Sequence, residues 1–288
     1  MRATGSKTEE LSAIAPKFDW GQTESYYMSI RLGLDGLSFC ILDPVTNTYL
    51  LISSVLFGAP DNSFAKHEEY MLTHKAFGLN YQKVIVSVES PAFSLMPISL
   101  FDQGAVREVL TLQGIKVQKN DQLIRNDIEQ ANASCVFCLP DFLFYFLKTQ
   151  FAKLTILHDS TPLISAMLRK RVGDKIDSIL SVCVSESYLT IVAARRGELL
   201  LTNRYYLSDI TDKVYLILYV MSQLDFDHHS AAVVLHGDVT DGDLFMTSLA
   251  RFVKNVSLAS PPSFFNYAFN LPPRSHRFYN LFLMSLCV

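Results

Sequence analysis

Short apolar runs punctuated by polar turns dominate the chain, and in two places they come in the same order. Residues 29–34 and 37–42 flank Asp35-Gly36, and after a turn over 43–47 a third run occupies residues 48–53. An Asp-Gly pair between two such runs predicts a two-residue hairpin in which both turn residues take positive φ. The three runs therefore predict an antiparallel meander. Residues 61–77 predict a helix with Asp61 and Ser63 as candidate caps, Phe64, Met71, Leu72 and Phe77 on its apolar face, and Gly78 as its stop. Residues 84–88 are almost wholly apolar and β-branched, the signature of a strand buried on both faces. A helix over 102–112 ended by Gly114, an edge strand over 123–127, a buried strand over 135–139, an aromatic helix over 142–151 and a strand over 154–157 follow. A helix then runs from Ser160 or Thr161 to about Val172, with Pro162 in its first turn and Gly173 after it. Residues 1–24 are polar and poorly periodic, and predict a short helix from Thr8 or a loose arm.

The second half repeats this order. Strands are predicted over 178–184, 188–194 and 199–204, with a turn over 195–198. A helix over 209–224 presents Val214, Ile217, Leu218 and Met221. A buried strand follows over 231–235, then a helix over 241–253 with Leu244, Leu249 and Phe252. Residues 254–275, with Pro261-Pro262 and Pro272-Pro273, predict irregular structure, and a short last helix lies near 277–286. The meanders start at Ser29 and Ser178 and the buried strands at Val84 and Val233, an offset of 149 in both cases. A long-period repeat outranks local signals in assigning a fold. The expectation is an α/β chain of two lobes: an arm over 1–27, a first lobe over 28–157, and a second lobe over 158–288 with a C-terminal extension.

Composition narrows the function classes. Hydrophobic residues make up 49% of the chain and charged residues 18%, enough apolar surface for two cores and too much for disorder. The net charge of −3 lacks the basic footprint of a nucleic-acid binder, and Arg274, His276 and Arg277 are too few to make a phosphate-binding surface. Mean hydropathy is positive at +0.20, yet the strongest apolar stretches, 214–221 and 278–288, fall short of the ~20 residues a spanning helix needs. Arg2, Lys7, Glu9 and Glu10 precede no apolar segment of a secretory signal, so a cytoplasmic protein is expected. The five cysteines, an odd number in mostly apolar runs, predict reduced core thiols.

Two lobes, each a three-strand meander followed by helix, buried strand and helix, resemble the duplicated, ribonuclease H-like fold of the actin-like ATPase superfamily. The resemblance covers roughly residues 28–255. It is nearer to the bacterial pilus-assembly and cell-division branch, and to a family of uncharacterised Bacteroidetes proteins assigned to that superfamily. It implies a cleft between the lobes where three turns hold ATP and Mg²⁺. In the first turn, Gly33 matches the glycine of an Asp-x-Gly motif, but Arg31 stands where the acid belongs, with Asp35, Gly36 and Ser38 just beyond. A guanidinium neither accepts a proton nor holds a cation. In the second, Cys183 and Ser185 replace the acid and the glycine, with Glu186 next to them. In the third, His236-Gly237-Asp238 keeps one glycine of two. Gly33, Asp35, Gly36, Ser38, Ser185, Glu186, Gly237 and Asp238 are thus the nucleotide-binding candidates. Phosphoryl transfer through Mg²⁺ needs a carboxylate to position the ion or its water, so no efficient ATP hydrolysis is expected. No catalytic residue, resident cofactor or metal is assigned, and binding of ATP with Mg²⁺ is left open.

Four other groupings have simpler readings. His236, Asp238, Asp241 and Asp243 lack the spacing of a calcium loop and fit a strand-to-helix turn capped by Thr240 or Asp241. Cys135 and Cys138 have redox spacing but sit on a strand. Asp227-His228-His229 reads as a solvated loop. His158-Asp159-Ser160 are contiguous, but a triad needs convergence in space, and Ser160 fits as a helix cap. The preferred function is a non-catalytic, actin-like binding or scaffold protein with a protein partner. The alternatives are an ATPase or small-molecule kinase using Asp35, Glu186 or Asp238, and a subunit that pairs with itself.

Overall fold

The computed structural model describes residues 9–57, 64–169 and 176–287. The first lobe begins with β1 (Glu9–Ile14), β2 (Tyr27–Leu32), β3 (Gly36–Asp43) and β4 (Thr48–Leu56), then α1 (Ala65–Thr73) and β5 (Lys83–Val88). A small unit follows, β6 (Phe93–Pro97), α2 (Val106–Leu112), β7 (Gln122–Ile128) and β8 (Ala133–Leu139). Then come α3 (Asp141–Gln150), β9 (Leu154–His158) and α4 (Ser160–Leu168). The second lobe holds β10 (Ser178–Val184), β11 (Tyr188–Arg195), β12 (Glu198–Tyr206), α5 (Ile210–Gln223), β13 (Ala232–Gly237), α6 (Leu244–Ala250) and β14 (Asn255–Leu258). The chain returns to the first lobe through β15 (Asn266–Tyr267) and α7 (Tyr279–Leu283).

The main sheets run β1-β4-β3-β2-β5-β9 and β12-β11-β10-β13-β14, and the small sheet β6-β8-β7. Each main sheet contains an antiparallel meander whose first strand pairs in parallel with the next central strand, β2 with β5 and β10 with β13. Ile30, Ile85, Val86, Val182 and Val233 are fully buried there, as expected of parallel strands covered on both faces. The repeated order is therefore real, but the constant offset is not. Met28 lies opposite Val84 and Leu180 opposite Val233, intervals that differ by three positions. Connecting loops vary in length without disturbing the sheet.

Several expectations are corrected. The N-terminal helix or arm is instead strand β1, paired along its length with β4. The helix expected over 61–77 is α1 plus a 3-10 turn, Lys75–Gly78, divided by extended His74. Leu72 is exposed, and His67 takes the buried place beside Phe57 and Phe64. The helix expected to run to about Val172 ends at Leu168, where Arg169 turns extended; the proposed caps Asp61 and Ser63, and Gly173, lie outside the described residues. In α6, Leu244 is exposed and Phe245 joins Leu249 inside, while Phe252, past the helix end, is exposed too. The stretch 254–275 contains β14 and β15, and β6 completes a sheet the pattern missed. Neither Asp35 nor Gly36 takes positive φ, so Asp-Gly does not make the expected hairpin turn. Gly36 already belongs to β3, opposite Leu56. The hairpin with two positive-φ residues lies at Arg196-Gly197.

Each lobe has its own core, one around Phe39, Phe77 and Phe137, the other around Ile191, Ile217 and Leu249. The C-terminal strap packs Phe278, Leu281, Phe282 and Met284 onto the outer face of the first sheet, against Tyr49, Ile52 and Ile85. The Tyr49 hydroxyl donates to the Phe282 carbonyl at 2.6 Å. Leu283 meets Leu163 and Ile164 of α4 and Val192 and Ala194 of β11, so α4 and α7 sit at the junction of the lobes. Among the described residues no helix is long and apolar enough to cross a membrane.

Candidate functional site

The carboxyl ends of parallel strands are where open α/β sheets bind ligands. Here the turn after β2, the residue after β5, the turn after β10 and the end of β13 surround one cavity of about 210 Å³ between the lobes. Asp35, Gly36 and Ser38 line it from one side, and Ser185, Glu186, Gly237 and Asp238 from the other. Of the candidates only Gly33 is left out. It is buried under its turn, where its carbonyl and that of Gly36 receive His67 Nε2 at 2.8 and 3.1 Å.

At the inner end lies a network of charges. Arg31 Nη2 meets Glu89 Oε2 at 3.0 Å, and Arg204 Nη2 meets Asp159 Oδ2 at 2.7 Å. Arg204 Nη1 lies 3.9 Å from Glu89 Oε1, its Nε donates to Thr190 Oγ1 at 3.0 Å, and its guanidinium stands 4.5 Å from the Tyr188 ring. Arg31, Glu89 and Asp159 stand at the carboxyl ends of β2, β5 and β9 of the first sheet, and Arg204, Thr190 and Tyr188 on β12 and β11 of the second, so the network ties the two sheets together. Glu89, Asp159 and Arg204 are all under 10% exposed. Burial pushes the Glu89 carboxyl up, against the pull of Arg31 and Arg204. Burial also opposes the Asp159 charge, but the Arg204 guanidinium outweighs it and holds that carboxyl below its usual range. Sequence reasoning missed Glu89, Asp159 and Arg204 as a group. A local signal exists for Glu89, the first charged residue after an apolar central strand.

One backbone donor in each of the three turns is bonded inside the protein. Gly33 N donates to Gly36 O at 2.9 Å, Ser185 N to Tyr188 O at 3.0 Å and Asp238 N to Val184 O at 2.7 Å. Lys213 Nζ is bound to the carbonyls of Ser185 and Glu186, both at 2.8 Å. Asp238 is ion-paired with Arg277 at 2.9 Å.

The other groupings resolve into structural roles. Asp243, not Thr240 or Asp241, caps α6 by accepting from Met246 N at 2.8 Å. His236 is buried beside Tyr279, away from that cap. Among the described residues no three His, Cys, Asp or Glu side chains come together to hold a metal ion. Cys135 and Cys138 face different cores, and burial pushes their thiols up to about 12 and about 11. Asp227 accepts from His229 N and Ser230 Oγ in an exposed loop. His158, Asp159 and Ser160 do converge, but all three are buried. Ser160 is not the cap: its Oγ and N both approach His158 Nδ1, at 2.5 and 3.2 Å. That makes Nδ1 the acceptor, so Nε2–H donates to Ser90 O at 2.9 Å.

Burial pushes His236 down to about 3 and lowers His158 as well. As pH falls through 6.5 the unfolded chain takes up these protons first. The stability supplied by the neutral His236 ring is full above 6.5 and is lost from there down to about 3, on the order of 5 kcal/mol, and His158 adds in the same sense. Glu89 acts in the opposite sense, because its raised pKa makes the folded state the better proton acceptor. Urea midpoints measured from pH 7 to pH 4 are expected to fall, and His236→Gln should remove about one proton from that dependence. An unchanged slope in the variant would show that His236 does not drive it.

Residues 15–256 match the family described as "Protein of unknown function (DUF3822)". The chain belongs to this family. No curated protein matches it. Among solved structures it is similar to a protein with actin-like ATPase fold and unknown function from Bacteroides thetaiotaomicron, at 23% identity and a TM-score of 0.75 over 84% of this chain and 93% of that one. It is also similar to a chain of the PilM–PilN type IV pilus biogenesis complex, at 10% identity and a TM-score of 0.60 over 90% and 97%. The ethanolamine utilization protein EutJ from Carboxydothermus hydrogenoformans matches at 10% identity and a TM-score of 0.51 over 96% and 93%. This DUF3822 member thus has the two-lobed actin-like fold, and its cavity lies between the two lobes.

Proposed function

We propose that this protein is a non-catalytic, actin-like binding or scaffold protein whose cleft does not hydrolyse ATP. The observation that carries the reading is Arg31, a guanidinium ion-paired with Glu89 at the position where the resembling superfamily places its acid. The donors of Ser185 and Asp238 on the cavity wall, already bonded inside the protein, support it, since a phosphate cradle needs free backbone N–H groups. A protein partner is supported by the PilM–PilN complex, in which a chain of similar fold assembles with another protein.

The deciding experiment measures melting temperature and phosphate release with ATP and Mg²⁺. A ligand at 100 times its Kd adds about 2.7 kcal/mol, so a cleft that binds ATP gives a visible shift. No shift and no phosphate release are expected. A shift with phosphate release that disappears in Asp35→Ala would overturn the reading in favour of an ATPase or kinase.

A further inference from the structure

Two kinds of contact cross between the two main sheets. The junction is apolar: Leu163, Ile164 and Leu168 of α4 and Leu283 of α7 pack with Val192 and Ala194 of β11. The other contacts are polar, and they come in two sets. One is the inner network, where Arg204 and Asp159 are both buried. The other belongs to the C-terminal strap. Phe278, Leu281 and Phe282 fix the strap to the first sheet, and the two residues before Phe278 reach the end of β13 in the second. His276 Nε2 donates to the Val239 carbonyl at 2.6 Å, and Arg277 Nη2 meets Asp238 Oδ1 at 2.9 Å. Arg277, Phe278 and Asn280 line the cavity, so the strap is one of its walls.

Each lobe has a core of its own. Lobes with separate cores move relative to one another about the segments that join them. Any motion that carries the end of β13 away from the first sheet must break both strap contacts. Their strength decides how readily this happens. A buried pair such as Arg204 with Asp159 resists separation strongly, because each charge would be left unpaired away from water. The side chains of Arg277 and Asp238 are 31% and 42% exposed, and a pair of that kind shifts an equilibrium by no more than about fivefold. The strap contacts are therefore the weaker of the two sets. We propose that the strap is a latch on the cleft: His276 and Arg277 hold the third turn against the first sheet, and their release opens the cavity. The apolar residues that follow form the fixed base of the latch, so the strap can let go of β13 without leaving the first sheet. The latch is independent of what the cleft binds and of whether it hydrolyses ATP.

A thiol inside the cavity reports on it. Cys183 lines the wall, and a closed cleft shields it. Cys40 lies fully buried under the strap's apolar base and Cys135 at the junction, so these two report on detachment of the strap and on unfolding. The full chain is labelled with N-ethylmaleimide at constant pH, and the rate at each cysteine is read by peptide mass spectrometry. Arg277→Gln and Asp238→Asn are each expected to speed labelling of Cys183 by up to about fivefold, and their combination no further, since both remove the same pair. His276→Leu with Arg277→Gln, which removes a buried hydrogen bond as well, should exceed about tenfold. Added salt should speed Cys183 in wild type and not in Arg277→Gln. Cys40 and Cys135 should stay slow throughout. A Cys183 rate unchanged in the variants, or a rise matched at Cys40 and Cys135, would overturn the latch. Should the variants fail to fold, wild type decides by its salt dependence, and a Cys183 rate indifferent to salt overturns the proposal. The ATP measurement bears on hydrolysis alone, and neither of its outcomes changes the thiol result.

Discussion

Gly237→Ala is expected to destabilise the protein by about 3–5 kcal/mol, at the upper end for a single substitution. Gly237 ends β13 with φ +89, a conformation that costs an L-residue ~1–2 kcal/mol. Its larger cost is steric. A Cβ there would stand 2.3 Å from the Val184 carbonyl oxygen, across the parallel pair of β13 and β10. Backbone must move to relieve that contact, and the same carbonyl accepts from Asp238 N. Two companion variants separate the causes. Gly242→Ala has φ +72 with open space around it, and should cost only ~1–2 kcal/mol. Gly36→Ala lacks positive φ but would place its Cβ 2.2 Å from the Val55 carbonyl oxygen, and should lose stability by crowding alone. Urea denaturation of the three variants measures the order. Equal losses at Gly237 and Gly242 would show that β10 and β13 do not approach as described. The glycine kept in the third cleft turn thus has a packing role between strands, whatever the cleft binds.

The second large effect concerns the charges that join the lobes. Arg204→Met is expected to cost about 3–5 kcal/mol, because removing one member of a buried pair leaves the other charge unpaired. Asp159 would lose its 2.7 Å partner, whereas Glu89 would keep Arg31. Replacing both members with apolar residues removes the stranded charge, so Arg204→Met combined with Asp159→Leu should cost clearly less than the two single losses added together. A double-mutant cycle by denaturation checks this, and strict additivity would show that the two side chains are not coupled. The pair spans the lobes, so its removal should also speed amide exchange around the turn after β10, which carries Ser185 and Glu186.

Much of the candidate site is legible in the amino-acid sequence. The repeated order, through the superfamily it resembles, locates the three turns, and seven of the eight candidate residues line the cavity. Gly33 is a candidate by motif position, which cannot tell that its turn faces α1 through His67. The partners of Arg31 are not legible. Glu89 follows β5, Asp159 follows β9 and Arg204 lies in β12, and only the sheet order brings them within reach of one another. The Asp35-Gly36 hairpin fails for a related reason. The pair fits the local rule for a tight turn, but the approach of β4 to Gly36 sets that backbone, and a cross-strand contact has no local signal.

The order of elements and the existence of two cores follow from the sequence, because hydrophobic periodicity is a local property that survives in each segment. Strand β1, the inner network and the role of the C-terminal strap arise only from packing between distant segments. β1 is polar enough to read as an arm and becomes a strand because β4 offers a free edge. Asn280 reads as an interruption in an apolar stretch and becomes a wall of the cleft because α7 packs at the junction of the lobes. Buried, paired charges exist only once remote segments exclude water together. The cleft's shape is therefore written in the repeat, and its chemistry in contacts between residues far apart in the chain.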